Sequence, residues 1–320
     1  MLSFSYNVKE ELSRLSSATC CQKAELASLV RMAGTIKIIG GQRKKIFLQI
    51  QTIHAPTARR IYKLLRKNFI SPVQIAIKRN NFLKDRSMYI ISIDTSHCRT
   101  LLEELGVLPA GDSFELKKTA INPDLIKKKC CKRAFLRGAF LGGGSISNPK
   151  GPYHMEFVTQ DKGTVDTLTK LISDFGLKSK VVERKNNYMI YLKVGDHIAD
   201  MLGIIGAHNN LLKYEDVRVL KDMRNSVNRM VNCETANLNK TIDASVRQIE
   251  SINYFKENNI FNDLPENLKQ IAELRLEYPD LSLKELGQMI DPVLGKSGVS
   301  YRLKKIEEMA QKLQSRKGEY

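Results

Sequence analysis

The chain of 320 residues carries 52 Lys and Arg against 34 Asp and Glu, a formal charge of +18, so a self-repelling molecule must be held together by a real core. At 42% hydrophobic with only 9 Pro, it is neither disordered nor fibrous, and its length fits two or three domains. The cationic excess favours a polyanionic partner, nucleic acid or an anionic membrane surface, and by itself says nothing of fold.

From the N-terminus, Met1 to Glu11 lacks the basic segment and apolar run of a secretory signal, and no later stretch reaches the length of a membrane span. The expected location is the cytosol, with no membrane partner. Six cysteines occur as Cys20-Cys21, Cys130-Cys131, Cys98 and Cys233, without a Cys-x-x-Cys. Reduced, partly buried thiols are the simpler expectation; a four-Cys metal or redox site built from both pairs is the alternative, and it needs the fold to bring distant pairs together.

The charge is unevenly spread. Leu26 to Lys84 holds no Asp or Glu but thirteen Lys and Arg, and Leu125 to Met155 again holds no carboxylate but seven. These twenty charges exceed the net charge of the whole chain, leaving the remainder slightly acidic, and carboxylate-free windows of this length suit phosphate binding.

The two windows open alike. Cys20-Cys21-Gln-Lys-Ala24-Glu-Leu26 leads to Gly34-Thr35-Ile36, and Cys130-Cys131-Lys-Arg-Ala134-Phe-Leu136 leads to Gly144-Ser145-Ile146, each matched residue displaced by 110 positions. Each copy continues with an extended run (Ile46 to Ile53; Tyr153 to Thr159) and a helical one (Ala55 to Phe69; Lys162 to Phe175). Two further strands follow (Val73 to Lys78 and Met88 to Ile93; Lys180 to Glu183 and Tyr188 to Val194), then a closing helix (Ser96 to Gly106; Asp196 to Gly203). The period is too long for a solenoid and predicts an α+β domain duplicated about a pseudo-two-fold axis, over about 20–110 and 130–210.

Each copy starts with a helix of small residues, Leu26 to Gly34 and Leu136 to Gly144. Ala27, Met32, Gly34, Gly138, Gly142 and Gly144 stand where two helices can approach closely, which gives glycines that cost about 1 kcal/mol in a helix a reason to be there. These stretches resemble degenerate copies of the LAGLIDADG motif of homing endonucleases. The resemblance, over roughly Cys20 to Ile205, implies two motif helices packed at the dyad and two four-stranded antiparallel sheets forming a saddle on duplex DNA. It also implies where a metal-binding acid would stand, and there this chain has Ala33 and Gly143, which offer no oxygen ligand. No catalytic residue, metal or cofactor is therefore expected, and the chain is not expected to be an enzyme. Saddle contacts to DNA are expected from Lys37, Arg43, Lys44, Lys45, Gln49, Gln51, Lys78, Arg79, Lys150, Arg184 and Lys185.

Beyond the repeats, Tyr214 to Val227 reads as a charged helix. Five Asn lie between Asn225 and Asn239, which reads as a linker or as a polar segment that touches DNA or docks the last domain. Val246, Ile249, Ile252 and Phe255 recur at helical spacing as a core face. Pro265 to Tyr278 predicts a helix, Ser282-Leu-Lys-Glu285 has capping-box form and opens a short helix to Ile290, and a turn at Gly295 leads into a last helix from Ser297 or Gly298 to Leu313. Two short helices around a glycine-bearing turn predict a helix-turn-helix, with DNA contacts from Ser282, Lys284, Ser297, Val299, Ser300, Tyr301, Arg302, Lys304 and Lys305.

Three stretches, Cys130 to Ser147, Asn228 to Asn237 and Ser282 to Gly287, resemble the WhiA family of sporulation regulators and cell-division proteins, essentially along the whole chain. The resemblance implies residues 1–222 as a LAGLIDADG-like domain, 223–260 as an Asn-rich linker and helix, and 261–320 as an all-α helix-turn-helix domain. It further implies double-stranded DNA as partner, a transcriptional or nucleoid-associated role in cell division and chromosome segregation, and no cleavage. The internal duplication favours a monomer. An active nuclease, an RNA-binding maturase-like protein, and a scaffold whose first domain binds another regulatory protein are the rivals.

Overall fold

The computed structural model describes residues 3–40, 45–69, 72–79, 87–93, 95–109 and 121–317. Within it the chain divides into two compact units, residues 1–221 and 222–320.

The first unit opens with a helix the sequence did not single out, α1 (Phe4–Ser13), capped by Ser3 and seated through buried Val8 and Leu12. Then comes the predicted succession, twice. The first copy is α2 (Thr19–Ala33), β1 (Gly34–Ile39), β2 (Lys45–Thr52), α3 (Ala55–Asn68), β3 (Val73–Arg79), β4 (Ser87–Ile93) and α4 (Thr95–Glu104). The second is α5 (Lys129–Gly143), β5 (Gly144–Ile146), β6 (Met155–Thr159), α6 (Lys162–Asp174), β7 (Lys180–Arg184), β8 (Asn187–Leu192) and α7 (Gly195–Ile205). Each copy makes a four-stranded antiparallel sheet with equivalent order, β1-β2-β4-β3 and β5-β6-β8-β7. Corresponding turns are closed in the same way: the ring of His54 and the carboxylate of Asp161 accept the amides of Thr57 and Thr164 at the starts of α3 and α6.

Period-two burial in the middle strands puts Ile46, Leu48 and Ile50 of β2, and Met155 and Phe157 of β6, against the helices. The alternate side chains of these strands, Phe47, Gln49, Glu156 and Val158, are half-buried and Gln51 is exposed. Edge strand β3 departs from the pattern: Ile75 and Ile77, which alternate as the sequence shows, are exposed.

The motif helices α2 and α5 pack closely along their length. A Cβ on Gly138 would lie 2.3 Å from the carbonyl oxygen of Glu25, and one on Gly142 would lie 2.8 Å from the Cβ of Met32, so the small residues are required by backbone approach. The same interface buries Glu25, whose carboxylate accepts Nε and Nη2 of Arg60 at 2.9 Å each and Nε of Arg137 at 3.0 Å.

The segment from Asn225 to Asn239, read from the sequence as a linker or a polar contact segment, is helical. It lies inside one helix, α8 (His208–Glu257, 50 residues), and residues 222–240 are exposed throughout. No Gly or Pro occurs between Gly206 and Pro265, so nothing in the backbone interrupts it.

The second unit holds the far end of α8 with α9 (Glu266–Glu277), α10 (Leu283–Gln288) and α11 (Lys296–Lys317) around a core that includes Ile252, Phe255, Leu268, Ile271, Leu286, Val299, Leu303 and Ile306. Of the expected core face on α8, Ile252 and Phe255 are buried, but Val246 is exposed and Ser245 is turned inward, its hydroxyl donating to the Pro279 carbonyl at 2.6 Å.

Candidate nucleic-acid interface

Register decides which side chains share a sheet face, because directly paired residues point the same way. In the first sheet, Lys37 pairs with Phe47, Thr35 with Gln49 and Ile39 with Lys45, and all stand on the face opposite buried Leu48 and Ile50. Gln49 pairs with Ser92 and Gln51 with Ile90, and β3 adds Gln74, Ala76 and Lys78 to that face. Lys37, Lys45, Gln49, Gln51 and Lys78 are thus brought onto one surface. Arg79, grouped with Lys78 by the sequence, alternates to the opposite face. Arg43 and Lys44 lie outside the described residues.

In the second sheet the open face carries Ser145, Glu156, Val158, Met189, Tyr191, Lys180 and Arg184. Lys185 is in the hairpin turn between β7 and β8, where it and Asn186 both have positive φ, and Lys150 is exposed in the β5–β6 loop. Sequence reading missed Lys180, which shares parity with Arg184, and Lys193, whose ammonium lies 5.1 Å from the centre of the Tyr191 ring. Strand alternation around Arg184 was the signal that could have found Lys180.

Four arginines of the basic windows serve the interior. Arg60 and Arg137 hold Glu25; Arg31 is buried, donating to the Gly106 carbonyl at 2.8 Å with Asp161 3.6 Å away; Arg133 donates to the carbonyls of Gly203 and Ile204. Arg59, Lys63, Arg66 and Lys67 are exposed on α3, which packs on the helix side of the sheet rather than on its open face.

At the ends of the motif helices, Ala33 and Gly143 border the starts of β1 and β5. The fold does bring carboxylates nearby, although the sequence placed none close. Asp161 lines a cleft with Ala33, and Glu156 stands opposite Ser145. Both are engaged. Asp161 accepts the Thr164 amide and hydroxyl and faces Arg31; Glu156 accepts from Ser145 at 2.8 Å and meets His154 at 2.9 Å. Partial burial opposes the charge on Glu156, yet the His154 and Ser145 hydrogen bonds outweigh it and hold its carboxyl below the usual range.

In the second unit, Ser282 and Glu285 form the predicted reciprocal cap, the Ser282 amide donating to the Glu285 carboxylate at 2.8 Å. Gly287 lets the turn close: its Cβ would lie 2.0 Å from the Leu294 carbonyl oxygen. Helix α11 buries Val299, Leu303, Ile306 and Ala310 on one stripe and exposes Ser297, Ser300, Tyr301, Lys304 and Lys305 on the other; Lys284 is exposed on α10. Val299, taken as a DNA contact, is fully buried, because it falls on the core stripe. Ser282 serves as a helix cap, and Arg302 is half-buried with a hydrogen bond to the Asn267 carbonyl at 3.3 Å.

Two LAGLIDADG-like α+β repeats packed through their motif helices, followed by a helical domain with a helix-turn-helix, define the class of protein. Residues 19–108 match the WhiA N-terminal LAGLIDADG-like domain, 132–224 the WhiA LAGLIDADG-like domain and 227–310 the WhiA C-terminal HTH domain. The chain belongs to the WhiA family. It is 48% identical to the "Probable cell division protein WhiA" of Alkaliphilus metalliredigens over 312 residues, covering 97% of this chain and 98% of that one. It is 45% identical to the protein of the same name from Bacillus licheniformis, with 98% of each chain covered. The crystal structure of full-length DUF199/WhiA from Thermotoga maritima superposes with a TM-score of 0.59 at 26% identity, covering 97% of this chain and 99% of that one.

Proposed function

We propose that this chain binds double-stranded DNA without cutting it and acts as a transcriptional regulator or nucleoid-associated factor in cell division and chromosome segregation, working in the cytoplasm at the nucleoid. The observation that carries this reading is the exposed stripe of α11, where Ser297, Ser300, Tyr301, Lys304 and Lys305 stand clear of the core and no acid occurs before Glu307. The names of the relatives support the cellular role. Lysines and glutamines on the open sheet faces support a second contact surface. Phosphate contacts supply affinity and register there, while base-edge contacts from α11, and from Gln49 or Gln51, supply sequence preference. Lack of cleavage is supported by Ala33 and Gly143, which have no ligand atom, and by Asp161 and Glu156 being held by Arg31, Thr164, Ser145 and His154.

A fluorescence-anisotropy titration of the full chain against duplex DNA is the test. With about 6 to 10 phosphates engaged, affinity falls roughly 10³- to 10⁵-fold between about 50 and 200 mM salt. A nearly flat dependence overturns the reading, as does preferential retention of folded RNA in competition. Incubation of the bound duplex with Mg²⁺ or Mn²⁺ leaves the strands intact; specific nicking would establish the nuclease rival.

A further inference from the structure

Outside the candidate interface, one cluster brings together groups that the sequence keeps 110 residues apart. Cys20 and Cys21 lie in the first turn of α2, Cys130 and Cys131 in the first turn of α5, and the packing of these helices gathers all four sulfurs within 4.8 Å of one another. Within each vicinal pair the sulfurs are 4.0 Å apart. A tetrahedral Zn²⁺ with Zn–S bonds of about 2.3 Å has S···S edges of about 3.8 Å, so the cluster needs only a slight contraction to enclose one ion. We propose that Cys20, Cys21, Cys130 and Cys131 form a four-thiolate site for a single thiophilic metal ion, Zn²⁺, that clamps the two motif helices together at the pseudo-dyad. This replaces the sequence expectation of no metal, at a place unrelated to the missing nuclease acids.

Four further observations support the assignment. The donor set is purely sulfur, which suits Zn²⁺ and rejects Mg²⁺ and Ca²⁺. Neither helix start has a side-chain cap, Ala18 and Lys128 preceding the two first turns, so the positive helix ends suit the net negative charge of a metal ion held by four thiolates. Lys127, Lys128 and Lys129 immediately precede Cys130 and offset the two negative charges of a Zn²⁺ held by four thiolates. Cys21 and Cys131 are buried with Ala24 and Ala134 beneath them, whereas Cys20 and Cys130 are exposed, which gives the ion a dry floor and an entrance. Cys98, by contrast, is a lone thiol in the apolar core.

The sulfurs are too close together to surround an iron–sulfur cluster, whose cysteines hold the outer corners of a cage. The site also lies at the opposite helix ends from Ala33 and Gly143, about 20 Å away along α2 and α5, so the ion acts on the joint between the repeats and not at a phosphate. Binding displaces the thiol protons into the buffer, and no electron is transferred.

The test uses the full chain, reduced and stripped by a chelator, with Co²⁺ as a spectroscopic probe. The expected result is a thiolate-to-Co²⁺ charge-transfer band with tetrahedral d–d bands, saturating at a single ion per chain and bleached by Zn²⁺. Cys20→Ser with Cys130→Ser, two exposed positions, abolishes the band; Cys98→Ser with Cys233→Ser keeps it. In the unmodified chain, Zn²⁺ protects Cys20 and Cys130 from alkylation, a readout independent of whether the variants fold. No charge-transfer band in reduced protein, a band that survives loss of Cys20 and Cys130, or Cys20 and Cys130 alkylated equally fast with and without Zn²⁺ overturns the proposal. So does a disulfide between the two pairs as the stable form in reducing buffer.

Discussion

Arg60 and Arg137 look like phosphate binders in the sequence because each lies inside a carboxylate-free window, with Glu25 just outside the first of them. The fold gives both to that carboxylate, which is fully buried between α2 and α5. Two guanidiniums around one buried carboxylate make the pairing costly to break: Glu25→Gln leaves two desolvated cations short of a counter-charge and is expected to cost about 3 to 5 kcal/mol, read as a lower urea midpoint. His54 offers a second residue-level test. Burial first, and then nearby Lys9, hold its ring down to about 4, below the ordinary 6.5, while its Nδ1 accepts the Thr57 amide. The unfolded chain therefore binds a proton that the folded chain refuses. His54 contributes no acid penalty above about pH 6.5 and destabilises the fold progressively as pH falls toward 4, by on the order of 1 to 3 kcal/mol. His54→Asn keeps an acceptor at the helix start without the titrating ring, so denaturation midpoints measured across that window flatten for the variant.

Elements were legible wherever local pattern and burial agree. The doubled order of helices and strands follows from period-two and helical spacing, and the capping box at Ser282 was readable because both partners lie within one turn. One element was not legible in the same way. Helix α8 was obscured by asparagines, which are weak helix formers, and its continuity rests on intact backbone hydrogen bonding between Tyr214, buried near one end, and Ile252 and Phe255, buried near the other. Val299, by contrast, stands at helical spacing with Leu303, Ile306 and Ala310, so the apolar stripe of α11 was legible in the sequence, and the structure buries Val299 on that stripe rather than leaving it for DNA. The motif helices supply an element-scale prediction in which two effects oppose each other. Gly138→Ala gains up to about 1 kcal/mol of helix propensity, but its methyl meets the Glu25 carbonyl oxygen at 2.3 Å, and overpacking of this kind costs about 1 to 3 kcal/mol. The neighbour is backbone and cannot rotate away, so the clash wins and thermal unfolding shifts down.

For the whole molecule, the proposed DNA contact is divided between the open sheet faces and α11, and charge variants on the full chain separate their shares. Lys37→Ala with Lys45→Ala, and Lys304→Ala with Lys305→Ala, are each expected to weaken binding uniformly across duplex sequences and to reduce the magnitude of the salt slope by about 2. If only the α11 pair changes the slope in anisotropy titrations, the sheet faces serve another partner, such as a second regulatory protein. Net charge, the duplicated order of elements, the small-residue helices and the helical C-terminal domain were determined by the sequence itself, because each depends on residues close together along the chain or on a repeat of them. Which cations stay free for a polyanion, which strand residues share a face, and whether two cysteine pairs 110 residues apart meet were decided by the tertiary structure alone. The reason is physical: charge pairing, strand register and metal coordination act through space, and distance through space is set by how α2 and α5 pack, not by position along the chain.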